Sequence, residues 1–151
     1  MHPSKALLPI IVFSQFAGTS LWFAGNAIIN DIQPASTGGF ANITSIVQFG
    51  FIAGTLLFAL FTIADRFRAS RVFFFSSLIA ASANLVLIWL AKDTTWLMVL
   101  RFVTGFFLAG IYPVGMKIAA EHFSGKLGNA LGFLVGALVF GTAFPHILRS
   151  S

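Results

Sequence analysis

"TIADRFRASRVFF", residues 62–74, sets the fold, because Asp65, Arg66, Arg68 and Arg71 place four of the chain's thirteen charged side chains within seven positions. Residues 43–64 before the cluster and 72–90 after it carry no charge. A solvated loop spreads its charge, and a folded core excludes it. A dense charged break between two apolar runs is the pattern of a chain that surfaces from a bilayer and re-enters it.

Composition agrees. Of 151 residues, 58% are hydrophobic and 9% are charged, with a mean hydropathy of +0.93. Soluble domains carry about 25% charged residues, so this chain cannot clothe a globular surface with polar groups. The absence of cysteine excludes disulfides and thiolate metal sites. A net charge of +5, scattered over nine Lys and Arg, forms no basic stripe, and a nucleic-acid partner is not expected.

Five apolar segments follow along the chain: 6–29, 43–64, 72–90, 96–116 and 127–148, the fourth interrupted by Arg101. Each has the roughly 20 residues that a helix needs to cross the hydrocarbon. The first contains Gln15 and Asn26, lacks a clear small-x-small cleavage site, and reads as an anchor rather than a signal peptide. The predicted fold is all-α, a polytopic bundle of five transmembrane helices with the lipid bilayer as its solvent. With the start in the cytoplasm, inside segments hold Lys5, Arg66, Arg68, Arg71, Lys117 and Lys126, against Lys92 and Arg149 outside. This bias predicts a multi-pass protein of the cell membrane with a cytoplasmic amino terminus.

Topology accounts for the arginines of the opening stretch but not for Asp65. Phe61-Thr62-Ile63-Ala64-Asp65-Arg66-Phe67-Arg68-Ala69-Ser70-Arg71 resembles the loop between spans two and three of the major facilitator superfamily, whose pattern is Gly-x-Leu-Ala-Asp-Arg-x-Gly-Arg-Arg/Lys. Ala64, Asp65 and Arg66 match, Ile63 stands for Leu, and both glycines are replaced, by Phe61 and Arg68. A second family pattern, Leu-x-x-x-Arg-x-x-Gln-Gly, falls on Leu97, Arg101, Thr104 and Gly105, with only the glutamine changed. In the fifth span Gly141 and Pro145 loosely keep the family's Gly-Pro ending.

The resemblance covers nearly the whole chain. It implies that residues 1–151 are part of an amino-terminal six-helix domain, one span short, whose partner is a carboxy-terminal half outside this sequence. It also implies secondary active transport of a small solute by alternating access between two halves. Asp65, Arg66 and Arg71 would then form a cytoplasmic gating loop, with Asp65 meeting a helix amino terminus of the other half. The competing reading is a membrane protein that does not transport, such as an assembly subunit or a truncated remnant.

Arg101 is the most informative residue, since an arginine within a span faces protein or a watery cavity unless it snorkels to the interface. Arg101, Gly105, Leu108 and Tyr112 fall on one helical face, a candidate pathway lining with a charge at one end and a phenol further in. Gln15, Thr19, Trp22 and Asn26 make a matching stripe in the first span, open to two readings: pathway lining or helix-to-helix hydrogen bonding. Ser77 and Asn84 read as packing. Gly50 and Gly54, Gly105, and Gly128, Gly132 and Gly136 read as small faces for close helix contact. Pro113 and Pro145 permit bends.

No paired carboxylates, nucleophile elbow or phosphate loop is present in the sequence, and the three histidines are far apart. An enzyme, a cofactor and a metal are therefore not expected. The spans contain no Asp or Glu, so an anionic or neutral solute fits better than a cation.

Overall fold

The computed structural model describes the backbone of residues 6–32, 39–90 and 93–150, and within these the side chains of all but 21, 23–32, 39–43, 142 and 144–150. The described residues form helices without any strand. In chain order they are α1 (Leu7–Ile32), α2 (Gly39–Leu60), α3 (Ile63–Arg66), α4 (Ala69–Leu90), α5 (Thr94–Leu108), α6 (Tyr112–His122) and α7 (Leu127–Ser150), with one 3-10 turn, Ser124–Lys126, before α7. By length and apolarity Ala69–Leu90, Thr94–His122 and Ser124–Gly141 can each cross a membrane, and Leu7–Ser20 and Thr44–Leu60 are shorter apolar stretches among the described residues. This is the helical membrane bundle that the apolar runs predict.

Two boundaries differ from the sequence reading. The second span stops at Leu60 rather than at residue 64, and Thr62 then adopts a left-handed conformation (φ 48°, ψ 40°) before α3 begins. An L-residue there is strained, and a β-branched one more so. The strain sits beside Phe61, where the resembling pattern has glycine.

The fourth span is likewise two helices, α5 and α6, separated by a turn at Ala109–Ile111. Ala109, Gly110 and Ile111 donate to carbonyls three residues back, at 3.3, 3.0 and 3.0 Å. Pro113 is the cause. It lacks an N–H, and its ring would clash with the carbonyl four residues earlier, that of Ala109.

The most extensive helix pairs are α2 with α5, α1 with α7 and α4 with α5. Glycines hold the first pair together. A methyl group on Gly50 would strike the carbonyl of Phe102, one on Gly54 that of Phe106, and one on Gly105 that of Val47, so backbone lies directly on backbone. Gly128, Gly132 and Gly136 behave differently, since methyl groups there would meet no described atom within 4 Å. Those three glycines form no close helix contact among the described residues, contrary to the expectation from their spacing.

Apolar clusters run along the bundle. Ile11, Val72, Val114, Ile118, Ala119, Ala130 and Leu134 join α1, α4, α6 and α7 near the Asp65 end. Ala80, Leu108 and Ile111 fill the level of the α5–α6 break, and Leu87 with Leu97 closes the far end of α4 and α5. The outside is equally apolar, with Phe13, Phe74, Trp89 and Trp96 exposed, Trp89 at 82%. In water such a surface would aggregate; in lipid it is the required one.

Candidate solute pathway

Polar side chains inside the bundle collect between α1 and the two halves of the broken helix. Arg101 lies on the α5 face that α1 covers and is 0% exposed. Its Nη1 donates to the backbone carbonyl of Trp22 at 3.2 Å. The guanidinium is therefore turned into the bundle and does not snorkel to the interface. Burying a cation in this way is expensive unless hydrogen bonds and counter-charge surround it.

Gln15 is also fully buried, and neither amide atom has a hydrogen-bond partner among the described residues. The close approach of α6 makes this burial possible, because a methyl group on Gly115 would collide with Gln15 Oε1. One turn further along α1, Gly18 lets the side chain of Ile111 in, with Ile111 Cγ2 2.7 Å from where a Cβ would stand. Thr19 is buried as well, but its hydroxyl donates within its own helix, to Gln15 O at 2.8 Å. That bond stays inside α1, so the hydroxyl is spent on its own helix and not on a neighbouring one. Trp22 is half-buried and its ring lies 5.4 Å from that of Phe51 on α2. The side chain of Asn26 lies outside the described residues.

The register Arg101–Gly105–Leu108–Tyr112 does not continue as one helical face, because the chain turns between Leu108 and Tyr112. Arg101 faces α1, Gly105 abuts Val47 of α2, and Leu108 joins Ala80 and Ile111 in the core. Tyr112 is half-buried at the start of α6. This face is mostly consumed by packing. The structure brings Arg101 and Trp22 together, and it sets Gln15 against α6.

Two polar contacts escaped the sequence reading. Asn84 Nδ2 donates to Thr104 Oγ1 at 3.3 Å, linking α4 to α5. The second involves Lys117 in the middle of α6, whose ammonium pairs with Asp65 Oδ1 and donates to Ala64 O at 2.7 Å, while Glu121 Oε1 lies 3.6 Å away. Sequence spacing offers no means of choosing Lys117 over Arg66, Arg68 or Arg71 as the partner of Asp65. Arg66, Arg68 and Arg71 make no ion pair among the described residues.

The elements are those of a membrane helical bundle with a charged elbow after its second span, and comparison with known proteins gives the same answer. The model of the Major Facilitator Superfamily matches residues 7–145. The chain belongs to that superfamily.

A curated relative is similar to it: Niacin transporter NiaP of Acinetobacter baylyi, 34% identical over 113 residues. The match takes in 67% of this chain and 25% of the relative, so the chain spans about a quarter of that protein's length. No solved structure matches it. Superfamily membership makes this a multi-pass membrane protein.

Proposed function

We propose that this chain is part of the amino-terminal domain of a secondary transporter that moves a small anionic solute by alternating access, without chemistry on the solute. The observation that carries this reading is the fully buried guanidinium of Arg101, bound to α1 through the Trp22 carbonyl. A guanidinium offers five N–H donors in a planar fork, which matches a carboxylate. The amide of Gln15, unpaired among the described residues, adds donors and an acceptor on the same side of α1, and the indole of Trp22 adds a flat apolar surface.

The similarity to a niacin transporter narrows the class. Niacin is a pyridine carboxylic acid, anionic at neutral pH, and its flat ring and carboxylate suit an indole and a guanidinium. We therefore favour a small heteroaromatic or aromatic monocarboxylate as solute. The remaining wall of the pathway, and any proton-coupling group, would come from the carboxy-terminal half. The excess of Lys and Arg in the segments around residues 66–71 and 117–126 supports a cytoplasmic location for them and for the amino terminus in the cell membrane.

The test is uptake of radiolabelled nicotinate into proteoliposomes holding the full-length protein. Saturable uptake is expected, competed by benzoate and not by nicotinamide, which lacks the charge. Arg101→Ala should lower it roughly tenfold or more, the scale of a lost charge-assisted hydrogen bond, with insertion unchanged. Arg101→Lys should restore part of it, since an ammonium keeps the charge without the fork. Uptake by the alanine variant equal to the parent's would remove Arg101 from the pathway.

A further inference from the structure

Among the described residues, the elbow after α2 leaves three arginines without an acidic partner, while the carboxylate beside them, Asp65, is engaged by Lys117 on α6. Arg66, Arg68 and Arg71 stand on the rim of a groove of about 560 Å³ whose walls include Val72, Phe75 and Phe107. No Asp or Glu lines it. The groove descends along the first turns of α4; six residues at 1.5 Å each put Phe75 about 9 Å below Ala69. Its upper end is cationic and its lower end apolar. The positive end of the 22-residue α4 adds to the field at the rim.

Phe75 is 57% exposed, and its neighbours Phe67 and Phe74 are exposed as well, so the groove opens sideways onto the membrane and not only toward water. A water-soluble anion would satisfy the arginines and leave the apolar wall bare. A phospholipid would satisfy both, with phosphate on the rim and acyl carbons against the phenyl rings. Basic pockets between transmembrane helices are known places for anionic head groups.

We propose that this groove is a binding site for one anionic phospholipid, with Arg66, Arg68 and Arg71 holding the phosphate and Val72, Phe75 and Phe107 holding the upper acyl chain. The site is separate from the Arg101 region, and the proposal holds whether or not a carboxylate is the transported solute.

A photo-crosslinking side chain at position 75 tests it, in full-length protein reconstituted into vesicles of phosphatidylglycerol and phosphatidylcholine. Position 133 is the control: Phe133 is 59% exposed, and like Phe75 it is the seventh residue of its helix, so the two reporters sit at similar depth. At position 75 the phosphatidylglycerol adducts should exceed their share of the membrane about fivefold, the scale of one engaged arginine. At position 133 adducts should follow the bulk ratio. Arg66→Gln with Arg71→Gln should return position 75 to the bulk ratio. The comparison of the two positions needs no charge change, so poor insertion of the double variant leaves the test standing. Equal ratios at 75 and 133 would reduce the arginines to a general surface charge and overturn the site. Loss of the excess in millimolar inorganic phosphate would overturn it too, by making the rim a plain anion site.

Discussion

Gly105 and Gly132 look alike in the sequence, yet only one is held in place by its neighbours. The Cα of Gly105 faces the Val47 carbonyl, and a backbone carbonyl cannot swing aside as a side chain can. Gly105→Ala should therefore push α5 off α2 and lower stability by about 1–3 kcal/mol, as overpacking does. Gly132→Ala, with no described atom within 4 Å of the new methyl group, should leave the unfolding temperature of the purified protein within a degree or two or raise it slightly. The same spacing rule selected Gly50 and Gly54 and the α7 glycines. Spacing specifies a small face on a helix, but what covers that face depends on the neighbouring helices, which one helix's sequence does not encode. Arg101 was more legible, because a cation in an apolar run has few places to go. That its hydrogen bond would reach a backbone carbonyl of α1 was not readable, since backbone acceptors leave no mark in the sequence.

At the scale of elements, the helices were legible where apolar runs meet charge, as at the elbow between α2 and α4. They were less so where a helix is broken from within. Pro113 is plain in the sequence, but its steric effect falls four residues upstream, so the turn appears at Ala109–Ile111 and the helix resumes at Tyr112. The break also divides allegiances: α5 packs chiefly on α2 and α4, whereas α6 packs on α4, α7 and α1. Pro113→Ala should let α5 and α6 join, since the alanine N–H can donate to the Ala109 carbonyl. Hydrogen exchange at residues 109–114 should slow roughly tenfold, on the scale of one added bond, and turnover should fall as the two halves lose their independence. Unchanged exchange would mean that the snug fit of Gly110 against Ser76 and Phe58 holds the break unaided.

For the whole molecule, the Asp65–Lys117 pair ties the elbow between α2 and α4 to the middle of α6, two regions 52 residues apart in sequence. Asp65 is 71% exposed, so the tie should weaken with salt. The resemblance pointed Asp65 toward the other half of the transporter, and the structure pairs it inside this chain. Both contacts are compatible with a carboxylate that exchanges partners as the halves rock. A single cysteine at position 59 of the full-length protein reports on this; residues 1–151 contribute no cysteine of their own, and any elsewhere are first replaced by serine. Asp65→Asn and Lys117→Met should each raise its labelling by an impermeant reagent, and the exchanged pair Asp65→Lys with Lys117→Asp should return it toward the parent level. Labelling only from the cytoplasmic side is expected; labelling from outside intact cells would invert the proposed topology.

The three tryptophans occupy very different surroundings. Trp89 and Trp96 stand exposed at the α4–α5 corner, as aromatic side chains at a bilayer surface do, while Trp22 lies half-buried with its carbonyl holding Arg101. Lipids carrying bromine would extinguish the emission of the first two and spare much of the third. Of the light from the indoles of residues 1–151, what remains would come from the one beside the guanidinium, an optical gauge of whatever arrives there.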